Sequence, residues 1–131
     1  MLGENYHRVI EEWCAATGMT VWTDQDDKHV EIDETVVALV HGGNNDPDTL
    51  HILIDLGPYD FPDLQRSLLE MNVPLDSPEH GCFGLHPITG SVVYRAKLHL
   101  ASDTDGYHLP HFISELIHNA RARLATSFIL Y

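Results

Sequence analysis

Ten histidines, two cysteines and two acidic pairs are the side chains with which this chain could do chemistry. His108 and His111 stand three apart and His118 seven further on, a spacing that lets all three share one side of a helix. A zinc site needs three or four converging ligands held by supporting carboxylates. No H-E-x-x-H run occurs, and neither Cys14 nor Cys82 has a neighbour at ligand spacing. The histidines therefore read as scattered surface residues, and neither metal nor cofactor is expected. A Cys–His nucleophile has no local signature here, and Cys14 falls on the apolar stripe of a helix, where a thiol is inert. His41-Gly42-Gly43 is similar to an esterase oxyanion loop, but there is no G-x-S-x-G elbow to serve it, so it reads as a turn. The pairs Asp26/Asp27 and Asp33/Glu34 could be acid–base groups, yet nothing in their surroundings would desolvate them. No catalytic residue is assigned.

The charge balance narrows the partners. Seven Lys+Arg against twenty Asp+Glu give −13 over 131 residues. Phosphate backbones and anionic membranes both reward basic patches, so neither nucleic acid nor a membrane is an expected partner. Residues 24–63 hold eleven acids and one base, Lys28, a local charge of −10 that suits a basic partner. The N-terminal stretch carries Glu4, Arg8, Glu11 and Glu12 and lacks the apolar core of a signal peptide. No apolar run is long enough to span a bilayer, and the cytoplasm is the expected compartment. The length and the 44% hydrophobic content suit a single domain over 1–131.

The elements follow from periodicity. Tyr6, Val9, Ile10, Trp13 and Cys14 form one helical stripe over 4–17, ended by Gly18. Val30 and Ile32 alternate with polar residues as a short strand. Residues 35–41 are a β-branched run apolar on both faces. After the turn signal of 42–48, Leu50, Ile52, Ile54 and Leu56 share one face of a third strand. Asp60 is the expected cap of a second helix, with Pro62 and Asp63 in its first turn, Leu64, Leu68, Leu69 and Met71 on its apolar side, and an end near Asn72 before Pro74. Residues 82–86 and 91–100 form a hairpin turned by Pro87 and Gly90, with Val92, Tyr94, Ala96, Leu98 and Leu100 facing one way. A last helix starts near Tyr107–Pro110 and reaches about Phe128, with Phe112, Ile113, Leu116, Ile117, Ala120 and Leu124 on its stripe. The order α-βββ-α-ββ-α predicts an α+β fold, helices packed on an antiparallel sheet. The two-sided strand 35–41 then needs either helices on both faces or an interface, with a second copy or with a client peptide.

Three segments carry a family likeness. Leu68-Leu69-Glu70-Met71-Asn72 looks like an L-L-x-x-N helix end. Phe83-Gly84-Leu85-His86-Pro87-Ile88-Thr89-Gly90 looks like a G-L-D-P-x-T-G strand and turn, with His86 where an acid is usual. Val92-Val93-Tyr94 and Leu98-His99-Leu100 match the strand after it. With the element order, these resemble the type III secretion chaperones of the Tir-chaperone (CesT-like) family over essentially the whole chain. The resemblance implies a non-enzymatic cytoplasmic homodimer that binds the N-terminal segment of an effector in extended form, keeps it secretion-competent and delivers it to the secretion ATPase. It implies a dimer interface at Leu64, Leu68, Leu69, Phe83 and Leu85, and an effector surface on the first helix and sheet at Trp13, Val30, Ile32, Val37 and Leu39. Two other readings stand beside it: a YbjN-like α/β sensory or interaction module with no secretion role, and a small metal-dependent enzyme built on the histidines.

Overall fold

The computed structural model describes residues 4–18, 28–42, 45–59, 62–71 and 81–129. Its order is α1 (Glu4–Thr17), β1 (Lys28–Ile32), β2 (Thr35–His41), β3 (Thr49–Gly57), α2 (Leu64–Met71), β4 (Cys82–Leu85), β5 (Val92–His99) and α3 (Leu109–Ile129). The α-βββ-α-ββ-α order read from the sequence is the order found. All five strands form one antiparallel sheet, β1-β2-β3-β5-β4, so the edges are β1 and β4.

One face of this sheet is the core. Val37, Leu39, Leu50, Ile52, Ile54, Leu56, Phe83, Val92, Tyr94 and Ala96 point into it, against Val9, Ile10, Trp13 and Cys14 of α1 and Ile113, Leu116, Ile117, Ala120 and Leu124 of α3. α2 adds Leu68 to the same cluster and lies beside β4. The helix stripes and the strand alternation thus meet on one side. Phe112, placed on the α3 stripe by spacing, is instead exposed, one position off the arc that faces the sheet.

Four side chains, Arg8, Glu12, Asn5 and Arg121, tie α1 and α3 down. Arg8 of α1 donates from Nη1 to the Thr104 carbonyl (2.6 Å) and to Glu12 (2.7 Å), and from Nη2 to the Ala101 carbonyl (2.9 Å). Glu12 accepts the Gly106 amide (3.0 Å), and Asn5 donates to the Leu100 carbonyl (3.1 Å). Gly106 is required at this crossing, because a Cβ there would lie 2.2 Å from the Val9 carbonyl oxygen. Arg121 of α3 donates to the Leu56 carbonyl (3.3 Å) and to Thr35 Oγ1 (3.1 Å), fixing α3 to the ends of β2 and β3.

The turns show where local chemistry departs from expectation. Asp33 and Glu34 join β1 to β2 with φ of 52° and 62°, so two non-glycine residues adopt the left-handed pair that a two-residue hairpin requires. The second helix starts later than expected. Pro62 and Asp63 form a turn outside it, with Asp63 at φ 61° and its carbonyl accepting the Ser67 amide (3.0 Å). A left-handed Asp63 cannot be part of the helix, so Leu64 begins it. The expected cap Asp60 and end Asn72 lie outside the described residues, as does the acidic pair Asp26/Asp27. In the β4–β5 hairpin, the His86 imidazole accepts the amides of Ile88 and Thr89 at Nδ1 (3.1 Å each), and Gly90 at φ 73° donates to the His86 carbonyl (2.9 Å). A ring nitrogen here does the turn-closing work that an acidic oxygen does elsewhere.

Candidate protein-binding surfaces

Two parts of the sheet are accessible. The first is the β1 edge. β1 pairs with β2 on one side, and no described strand lies on the other. An edge strand presents unpaired N–H and C=O groups that can template another strand. Its Val30 and Ile32 are half-buried against the core, while His29 and Glu31 are exposed. Beside this edge, between the β1–β2 turn and α3, lies an open depression of about 610 Å³ lined by Asp33, Ser114, Ile117, His118 and Arg121, in which Ser114 donates to the Asp33 carboxylate. At the other edge, α2 packs beside β4.

The second is the face of the sheet turned away from the helices. Val36, Ala38, Val40, Leu53 and Val93 are its apolar residues, all partly or fully accessible, and Arg95, Lys97, His51 and His99 surround them on the β3–β5 side. Lys97 lies 3.5 Å from Asp46. Hydrogen bonding by Thr49, then the charge of Lys97, holds the Asp46 carboxyl below its usual value against a desolvation penalty. Burial first, then the charges of Arg95 and Lys97, push the His51 imidazole below its ordinary value, with Asp46 opposing. His51 Nδ1 is buried without a hydrogen-bond partner among the described residues.

The residues singled out from the sequence divide sharply. Trp13, Val37 and Leu39, expected on an effector surface, are 1%, 0% and 2% exposed and belong to the interior. The correction has a simple cause: α1 and α3 cover the sheet face on which Val37 and Leu39 sit, and Trp13 is the α1 residue that reaches into it. Val30 and Ile32 remain at the accessible edge. Of the expected dimer residues, Leu68 and Phe83 are interior, Leu64 and Leu85 are half-buried, and Leu69 is 70% exposed. Ile88, 88% exposed in the β4–β5 turn, was not singled out from the sequence. Its signal was there: a large apolar residue in a tight turn, where packing gives it nothing to do.

The chemistry-bearing groups stay apart. His108 sits 3.5 Å from Asp105 and His111 3.2 Å from Glu115, each a local pair on an exposed surface. No three His, Cys, Asp or Glu side chains converge on a point among the described residues. Cys14 is buried and Cys82 exposed, and neither is in a disulfide. No described helix is long and apolar enough to cross a membrane.

An α+β unit with three helices on one face of a 1-2-3-5-4 antiparallel sheet has solved counterparts. The Yersinia pestis type III secretion chaperone SycH, in complex with a stable fragment of YscM2, superposes with a TM-score of 0.67 at 18% identity, over 89% of this chain and 98% of that one. The HopA1–SchA chaperone–effector complex gives 0.68 at 16% identity, over 90% and 91%. The ExoT–SpcS complex from Pseudomonas aeruginosa gives 0.63 at 17%, over 92% and 98%. This chain has the fold of the type III secretion chaperones. No protein-family model matches its sequence, and none of the curated proteins is similar to it in sequence. The likeness covers nearly the whole of the matched chain in each case.

Proposed function

We propose that this protein is a cytoplasmic type III secretion chaperone: a homodimer that binds the N-terminal segment of an effector in extended form, keeps it competent for secretion and presents it to the secretion ATPase. The observation that carries this is the match, over about nine-tenths of the chain, to chaperone structures solved with a bound protein, a YscM2 fragment in one and an effector in another. The protein catalyses nothing on this reading and needs no cofactor. The β1 edge supplies what the task requires. An extended segment can pair with its free backbone groups, while its side chains reach Val30, Ile32 and the depression beside α3. The −10 segment speeds capture of a basic client more than it tightens the complex. We assign the dimer interface to α2 and the β4–β5 hairpin, which the exposed Leu69 and Ile88 and the half-buried Leu64 and Leu85 support. The test is affinity capture from bacteria that are secreting effectors, with the full chain as bait. Recovery of an effector through its unfolded N-terminal segment is the expected result. Recovery of none, or binding that needs a folded effector domain, overturns the reading.

A further inference from the structure

We propose that His86 makes the β4–β5 turn a proton-operated latch, closed by the neutral imidazole and opened when the ring takes up a proton. The backbone amides of Ile88 and Thr89 both point at one ring position, Nδ1, at 3.1 Å each. Turning the ring over would set a C–H against both amides, so the two donors fix its orientation. They also fix its tautomer: Nδ1 carries the lone pair and Nε2 the hydrogen. Neither amide has another acceptor among the described residues. The base of the turn closes without the ring. The His86 amide donates to the Ser91 carbonyl (2.8 Å), the Gly90 amide to the His86 carbonyl (2.9 Å) and the Ser91 amide to Thr89 Oγ1 (3.2 Å). The imidazole therefore holds the tip, and these other bonds hold the base.

A proton on Nδ1 turns that nitrogen from acceptor into donor. It then faces two N–H groups with no lone pair between them, and both bonds are lost. Histidine is the side chain whose ordinary charge change falls between pH 5 and 8. No charged side chain pairs with the His86 ring among the described residues, so no carboxylate offsets the lost bonds. The charges on the elements around β4 are engaged elsewhere or lie at its far end. Arg95 of β5 stands opposite Cys82, Arg66 and Glu70 of α2 are bound to each other at 3.1 Å, and Arg123 of α3 lies 5.0 Å from the centre of the Phe83 ring. What the latch controls is Ile88, 88% exposed at the tip. On the dimer reading above, on which this consequence alone rests, Ile88 belongs to the surface that meets the second copy. Opening the turn removes a preorganised apolar contact from that surface. Acidification then weakens the dimer without unfolding the domain.

The test is a titration of the isotopically labelled full chain from about pH 7.5 to about pH 5.5, followed by NMR. The amide resonances of Ile88 and Thr89 should move with the His86 ring nitrogens and share their midpoint. Protection of both amides from hydrogen exchange should fall about fivefold. His86→Asn supplies an acceptor that does not titrate. His86→Asp supplies one that stays ionised down to about pH 4, and serves should His86→Asn not fold. In both variants the two amides should hold still while the other histidines titrate as before. Over the same range, sedimentation equilibrium should show the parent's dimer dissociation constant rising about fivefold and those of the variants flat. Ile88 and Thr89 amides that ignore the ring titration, or that move equally in His86→Asn, overturn the latch. A dissociation constant with the same pH dependence in parent and His86→Asn overturns its link to assembly. A chain that is monomeric at every pH overturns the dimer reading, and the amide titration still decides the latch.

Discussion

The two faces of one sheet differ less in residue type than in what lies over them. β2 is Thr35-Val36-Val37-Ala38-Leu39-Val40-His41, apolar through its middle on both sides. Val37 and Leu39 are interior, while Val36 is half-exposed and Ala38 and Val40 are partly so. The difference comes from α1 and α3, which bring Ile10, Trp13, Ile113 and Leu124 to one face and nothing to the other. Folding rewards a valine by the apolar area it loses to contact, roughly 25 cal/mol per Å². On the open face that reward is small, so a row of valines and leucine there points to a role in binding.

The largest test of this contrast is a charge on each face of the same strand. Leu39→Asp places an unpaired carboxylate in the core and should cost more than about 4 kcal/mol, enough to unfold a domain of this size. Val36→Asp should stay within about 1 kcal/mol of the parent. Urea unfolding followed by circular dichroism measures both. A Val36→Asp protein as unstable as Leu39→Asp would show that the second face is covered after all.

Next comes the tie that holds α1 over the covered face. Gly106→Ala forces its methyl against the Val9 carbonyl, backbone against backbone, and should cost about 1–3 kcal/mol. Arg8→Ala loses three hydrogen bonds at a partly exposed site and should cost about 1 kcal/mol. Thermal unfolding should rank them in that order. A neutral Gly106→Ala would mean that α1 can move off the β5–α3 loop, and with it the distinction between the faces.

The same contrast separates what is legible in the residues alone from what is not. Elements were legible wherever the period was clean: the α1 stripe, the alternation Val92-Tyr94-Ala96, and the order of all eight elements. The covered face of β2 was not, because a run apolar on both sides carries no phase. The pattern alone therefore leaves Val37 and Leu39 open to a surface role, and the helices bury both. Trp13 failed for a related reason. A helical stripe says which side is buried, not that it is buried entirely by its own chain. Pro62 and Asp63 are good first-turn residues and predict an earlier α2 start; the left-handed Asp63 is a property of the backbone path that no propensity announces.

The smallest expected effect lies on the open face and depends on pH. His51 has its imidazole below the ordinary value of 6.5 because burial and then the Arg95 and Lys97 charges disfavour the cation, while Asp46 favours it. In the unfolded chain the ring regains its ordinary affinity for protons. Below pH 6.5 the unfolded state therefore binds more protons at this position than the folded one does, and protonation pulls the equilibrium toward unfolding. The stability contributed by the neutral ring is present above pH 6.5 and is lost as pH falls from there toward the folded value. His51→Gln removes that slope and leaves the other histidines in place. Melting temperatures taken from about pH 7.5 to about pH 5.5 should fall more steeply for the parent than for His51→Gln, by a small margin, since one partly buried ring is involved. Parallel curves would mean that the ring is solvated and that Arg95 and Lys97 do not act on it.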